Sequence, residues 1–327
     1  MNVPDQEQLS PSAAPSTAQP ASSPVPGTRA VAQLLAFTDS EVKFDLRDLM
    51  EILRDRRHEG WVLAAYPDPK TGRPLIGAGF SLDLPAREHP QPDPLNPHPF
   101  LEPSSAELWQ AAGLGSERLR TILDQYDNRL AAWARKGFRK RIKTLTPQIS
   151  DEEATLLLRV SAIQAIYNAK GYCRGFDGLT ASQQMALSQL VYQMGVNLQE
   201  FGQFLDLVNN HSGSGDTSPV PHLLNAGATD AEYWKTVQQS LVQSQWARLY
   251  RGRAISVIAM LDPQYADAPG VAERRVGAML RPAVVHRRTG RPGASRRLAS
   301  STERSGKRRA GGKARNAKPR PQRKRRT

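Results

Sequence analysis

The chain has 327 residues, 25 prolines, one cysteine and a formal net charge of +14. A chain of this length holds one to three domains. A lone Cys173 excludes an intramolecular disulfide and a cysteine-based zinc site, so the fold must stand on packing. The charge is unevenly placed: Arg287 to Thr327 hold 17 Lys and Arg against one acid, Glu303, while the other 286 residues carry 28 basic and 30 acidic side chains. The basicity therefore belongs to a tail, and the body is near neutral.

Residues 1–32 are rich in Pro, Ser and Ala. They bury too little apolar surface to offset ordering entropy, which predicts a disordered segment. They lack a charged stretch followed by an apolar one, so no Sec-type signal is expected. The longest apolar runs, such as Ile255–Leu261, are too short to cross a bilayer. Localisation is thus left open, and action at a cell wall would need another export route.

The folded body is expected over 33–281. Leu46, Leu49, Met50 and Leu53 fall at i, i+3, i+4 and i+7, the apolar stripe of a helix. That helix is expected to end at His58-Glu59-Gly60, with Gly60 as its cap. Trp61 to Tyr66 then reads as a strand, PDPKTG as a turn, and LIGAGFSL as a second strand. Residues 85–103, with seven prolines, form an irregular loop. They open a long insertion over about 84–148, in which 105–140 reads as helix with Leu108, Leu119, Ile122, Leu123, Tyr126 and Leu130 facing the core.

Ser150 and Glu153 form a capping box for a helix with the stripe Leu156, Val160, Ile163 and Tyr167. Leu187, Leu190, Val191 and Met194 mark a central helix, and 201–210 a further one. A Gly/Ser-rich loop follows, then helices near 229–245 and 246–261. The class is α+β, a mostly helical body with a small β-hairpin. The segment 282–327 is expected to be a disordered basic tail.

Three residues carry the chemistry. Glu59 sits at a helix C-terminus, where the dipole disfavours negative charge, among apolar neighbours. Both influences raise a carboxyl pKa, as a general acid requires, although the same position suits a solvated helix-end Glu. Asp68, nine residues on, is either a turn residue between prolines or a second carboxylate across a cleft. Such a pair is the minimum equipment for glycoside hydrolysis. Arg253 lies seven positions after Trp246, inside the stripe Trp246, Leu249, Tyr250, Ala254, Val257, Ile258 and Leu261. A guanidinium there either pairs with a buried carboxylate or snorkels to the surface.

His89 and His98 in the proline-rich loop lack metal-ligand spacing. Trp109, Trp133 and Trp234 read as core or as sugar platforms, with core favoured by their helical spacing. The tail fits polyanions, whether nucleic acid by counterion release or anionic envelope polymers. Without interleaved aromatics it offers no base stacking.

Four stretches in order resemble the phage-type lysozymes, glycoside hydrolase family 24, and specifically the T-even phage branch. They are H-E-G-x5-Y-x-D with G-x3-I-G-x-G (58–79), I-S-D-E-E-A-x2-L-L with F-D-G-L-T-A-S-Q-Q-M-A-L (149–187), L-V-Y-Q-M-G (190–195) and Q-S-Q-W-x6-R-A-x2-V-I (243–258). The resemblance implies a lysozyme-like fold that binds peptidoglycan between a β lobe and a helical lobe. It implies cleavage of the β-1,4 bond between N-acetylmuramic acid and N-acetylglucosamine with inversion, without metal or cofactor; the chain is expected to be a monomer. It also implies Glu59 as general acid, Asp68 as the water-positioning carboxylate, Arg253 as the partner of Glu59, and Tyr66, Phe80 and Gln193 in the cleft.

The family's catalytic Thr is here Leu75, and the family's His is here Phe80. Thr71, Ser81 or Asp83 are the available replacements for the group that holds the water. The loss of the hydroxyl keeps two other outcomes open, an inactive peptidoglycan-binding module and a lytic transglycosylase. A nucleic-acid-binding protein rests on the tail alone.

Overall fold

The computed structural model describes residues 26–55, 58–133, 145–210 and 230–281. The expectations for residues 1–25, for the loop at 211–219, for the part of the 105–140 helix past Trp133 and for the tail 282–327 lie outside these residues. Among the described residues the fold is mostly helical with one small three-stranded antiparallel sheet, an α+β fold. No described helix is long and apolar enough to cross a membrane.

Helix α1 (Pro26–Leu35) starts inside the stretch that composition assigns to disorder. The reason is spacing: Ala30, Leu34 and Phe37 fall on one face and are buried, enough to anchor a short helix. Helix α2 (Leu46–Arg54) is opened by Asp45, whose carboxylate accepts from the Arg47 N–H, and buries Leu46, Leu49 and Leu53. It ends earlier than expected. The chain leaves it through a turn in which Glu59 N–H donates to Leu53 O at 3.2 Å and Gly60 N–H to Asp55 O at 3.2 Å. Gly60 takes φ of 80°, a left-handed conformation open to glycine at little cost.

The sheet comprises β1 (Val62–Pro67), β2 (Pro74–Gly77) and β3 (Phe80–Ser81) in that order. The single strand expected over LIGAGFSL is two, because the chain reverses at Gly77-Ala78-Gly79 with φ of 63° and 81° at the glycines. Tyr66 pairs with Leu75, and Leu75 with Ser81. Opposite residues share a face, so these three side chains line one side of the sheet.

The proline-rich loop is built, not loose. Its limbs pair through Ser105 N–H to Leu84 O and Arg87 N–H to Glu102 O, each at 2.9 Å. Helix α3 (Ser105–Ala111) follows, capped reciprocally by Ser104 and Glu107. It is separated from α4 (Ser116–Trp133) at Gly113, φ 77°, so the one helix expected over 105–140 is two. Leu108, Leu119, Ile122 and Tyr126 are buried there, but Leu130 is exposed.

Helix α5 (Asp151–Tyr172) begins at the Ser150–Glu153 capping box. Of its expected stripe, Val160, Ile163 and Tyr167 are buried, whereas Leu156 is 49% exposed. Leu157 and Leu158 take the core side instead, and Leu156 shares the outer face with Glu152 and Arg159. From Ala165 to Tyr172 every residue is buried. Buried amides tie the proline-rich loop to this helix. Asn168 accepts from Leu101 N–H at 2.7 Å, Gln164 donates to Leu101 O at 2.9 Å, and Asn96 donates to Gly171 O at 2.8 Å. The α5 amides thus meet Leu101 backbone groups of the loop, and Asn96 meets a carbonyl in the last turn of α5.

Helix α6 (Ala181–Met194) is capped by Thr180 and Gln183 and stops at Gly195. Then come α7 (Gly202–Asn210), α8 (Asp230–Val242), α9 (Gln245–Leu249), α10 (Arg251–Met260) and α11 (Pro269–Met279). The single helix expected over 246–261 breaks at Tyr250, leaving Leu249 and Tyr250 exposed rather than in the stripe. Helix α11 was not foreseen; it packs on α10. Helix α5 packs against α6, α2 and the sheet, and α6 against α10. Trp109 and Trp234 are fully buried core residues; the side chain of Trp133 lies outside the described residues.

Gly171 tests how the loop is seated. A Cβ at this position would stand 2.9 Å from the Phe100 ring, which is stacked on His89 at 3.7 Å and meets Tyr172 edge-on at 4.7 Å. Gly171→Ala gains up to about 1 kcal/mol of helix propensity but forces the stack apart, an overpacking cost of about 1–3 kcal/mol. A lowered thermal midpoint is expected; an unchanged or raised one would show that the loop is not held there.

Candidate active site

The turn after α2 and the N-terminal part of α10 meet at one ion pair. Arg253 Nη1 donates to Glu59 Oε1 at 2.7 Å, and Nη2 donates to the carbonyl of His58. The side chains are 9% and 20% exposed, so Arg253 is paired and does not snorkel. Losing one member of such a pair costs about 3–5 kcal/mol, because the other charge stays buried. Burial raises the Glu59 carboxyl above its ordinary pKa, and the charge and hydrogen bond of Arg253 oppose the rise without cancelling it.

Gly79, at the tip between β2 and β3, lies against this carboxyl. A Cβ there would be 3.4 Å from Glu59 Oε2, so the hairpin approaches Glu59 as closely as it does because residue 79 lacks a side chain. Tyr192 on α6 fixes the same tip by donating to Ala78 O at 2.9 Å.

Asp68 stands at the end of β1 in a turn of its own making. Its Oδ1 accepts from the N–H of Lys70 at 2.8 Å, the N–H of Thr71 at 2.7 Å and the Thr71 hydroxyl at 3.1 Å. Partial burial works to raise its pKa, but the Thr71 and Lys70 hydrogen bonds outweigh it and the carboxyl is held low. Two carboxyls in one region are thus driven apart, one toward the acid and one toward the carboxylate. Tyr66 joins them: burial raises its hydroxyl pKa, and the negative charges of Glu59 and then Asp68 raise it further.

The possible third groups are all engaged elsewhere. The Thr71 hydroxyl serves Asp68 and accepts from Arg73 N–H at 3.3 Å. The Ser81 hydroxyl donates to Asp83 at 3.1 Å, and Arg73 stands 4.0 Å from the same Asp83 oxygen. Leu75 lies between Tyr66 and Ser81 on their shared face and brings no hydroxyl.

Gln193 and Phe80 border separate hollows. Gln193 lines a groove of about 570 Å3 with Lys70, Met194, Trp246 and Tyr250. Two buried polar atoms in this groove, Gln193 Oε1 and Trp246 Nε1, have no hydrogen-bond partner. Phe80 is buried and lines a smaller recess beside Gly79 and Tyr192. Among the described residues no three His, Cys, Asp or Glu side chains are grouped to hold a metal.

No family model matches the chain, and no curated protein matches it. The case for a function therefore rests on the residues themselves.

Sequence reasoning missed Gly79, Tyr192 and Tyr250. Tyr250 receives Lys70 Nζ 5.5 Å and Arg253 Cζ 5.7 Å from its ring centre, linking the hairpin turn to α10. Its signal was hidden because an unbroken helix would place it in the apolar stripe. The positive φ of Gly79 is a feature of the turn and has no counterpart in hydrophobic periodicity.

A carboxyl whose pKa is raised on folding stabilises the fold most below its unfolded pKa. That contribution is lost as pH rises through the folded value. Glu59→Gln removes it. The stability of the wild type relative to Glu59→Gln is therefore expected to fall as pH is raised from about 4 to about 8, measured by denaturant melts. A difference that stays flat, or grows with pH, contradicts the assignment.

Proposed function

We propose that the chain is a peptidoglycan-cleaving muramidase that hydrolyses the β-1,4 bond between N-acetylmuramic acid and N-acetylglucosamine. The observation that carries this reading is the geometry of two carboxyls, Glu59 buried against Gly79 and bonded to Arg253 at 2.7 Å and Asp68 held by the Lys70 and Thr71 N–H groups, with their pKa values pushed in opposite directions. Glycoside hydrolysis needs a protonated carboxyl on the leaving oxygen and an ionised one beside the sugar. Glu59 is the proton donor, its protonated form favoured by burial and its carboxyl aimed by Arg253. Asp68 is the carboxylate that orders water or offsets positive charge on the ring. The four-motif resemblance to phage-type lysozymes assigns the same roles. On this reading Tyr66 and Gln193 line the cleft, and the basic tail draws the enzyme to anionic envelope polymers.

Leu75 supports a second reading, lytic transglycosylation. With the Thr71 and Ser81 hydroxyls bonded to Asp68 and Asp83, neither takes the place of the threonine hydroxyl that Leu75 lacks. The 6-hydroxyl of the muramic residue then attacks C1 as the C1–O bond breaks. Glu59 supplies the proton to the leaving oxygen, and the hydroxyl proton passes to Asp68.

Glu59→Gln is expected to lower glycan release from purified peptidoglycan at least a hundredfold, the low end of what a positioned general acid contributes. Equal release by the two proteins would sink the catalytic proposal. Mass spectrometry of the products separates the readings, reducing ends marking hydrolysis and 1,6-anhydro ends marking transglycosylation.

A further inference from the structure

The recess beside Gly79 has a shape the catalytic groups do not explain. It measures about 190 Å3. At roughly 30 Å3 per water it holds about six waters, room for one sugar ring and not for two. It is lined by the hairpin, Gly79 to Ser81, by the end of α6, with Tyr192 and Gly195, and by Gln164 and Asn168 of α5. The proline-rich loop completes the lining through Pro85, Arg87, Glu102 and Pro103.

The loop's contribution is a constructed wall. Its two limbs are hydrogen-bonded at Ser105–Leu84 and Arg87–Glu102. Asn168 fastens it to α5 by donating to Glu102 Oε1 at 2.9 Å. Beyond the wall lies a separate groove of about 580 Å3 that shares Arg87, Glu102 and Pro103, so the limb divides two spaces. The surface facing the recess mixes ring and proline faces with a carboxylate, a guanidinium and a hydroxyl. Apolar C–H faces alternating with equatorial hydroxyls are what a pyranose presents.

We propose that this recess is a terminal-saccharide pocket that takes one N-acetylhexosamine residue at the end of a glycan strand, with the Leu84–Arg87 and Glu102–Ser105 limbs as its stop. The proposal rests on the muramidase reading, because Gly79 connects the pocket to the Glu59 carboxyl. It adds that cleavage starts from strand ends. Glu102 accepts from the vicinal hydroxyls, and the apolar face of the ring lies on Tyr192 and Phe80.

The test uses the full chain carrying Glu59→Gln, titrated with the tetrasaccharide of N-acetylglucosamine while the Gln and Asn side-chain amide signals are followed by NMR. The Gln164 and Asn168 amides are expected to shift. Glu102→Gln in the same background is expected to weaken binding about tenfold, the scale of a lost charge-assisted hydrogen bond. Ala165→Leu, which fills the recess, is expected to weaken it at least as much; if that variant does not fold, Glu102→Gln decides. A tetrasaccharide that shifts Gln193 but leaves Gln164 and Asn168 unmoved overturns the pocket and leaves the muramidase standing. The same holds if wild type shortens long strands from their middle at the outset. A sugar that moves none of these signals, together with no glycan release by the wild type, overturns both.

Discussion

The pairing of Arg253 with Glu59 is the constraint on which the rest of the site depends. It joins residues from opposite ends of the body, and it is expensive to build, since both charges leave water. A helical protein of this kind does not need such a pair for stability, because an apolar pair of similar volume would serve as well or better. What the pair supplies is a carboxyl fixed in direction, whose pKa burial raises despite the neighbouring guanidinium. Arg253 also takes the His58 carbonyl, so the guanidinium positions the backbone that carries Glu59 as well as the side chain.

The hairpin is built around this carboxyl. Gly77 and Gly79 reverse the chain so that the strand tip can touch Glu59, and Tyr192 holds the tip from α6. On the same sheet Asp68 is stabilised as a carboxylate by local N–H donors, which requires no partner from another element. The two carboxyls are therefore tuned by different means, one by desolvation and a distant helix, the other by its own turn. Tyr66 is buried within reach of both charges, and burial first and then those charges raise its hydroxyl pKa.

Much of this was legible in the sequence, and the pattern of what was not is physical. The Ser150–Glu153 cap and the cores of α2 and α6 follow from local rules, because the relevant partners are three or four residues apart. That Arg253 must either pair with a buried carboxylate or snorkel also followed, from charge on an apolar face, but only the structure decides for the pair. The break at Tyr250 did not, since a periodic stripe carries no mark of where a helix is interrupted. The division of LIGAGFSL into two strands depended on glycine φ values that spacing does not encode. The order of the proline-rich loop was missed for a different reason: it is held by amide bonds to α5, more than sixty residues away, and composition alone reads such a segment as irregular.

The most direct test is the titration of Glu59 itself, followed through the carboxyl carbon by 13C NMR in the full chain. A midpoint above the ordinary glutamate range is predicted, moving further up in Arg253→Gln as the opposing charge is removed. A midpoint within or below that range, or one that Arg253→Gln leaves unchanged, would contradict the account that burial holds the proton and Arg253 holds the carboxyl.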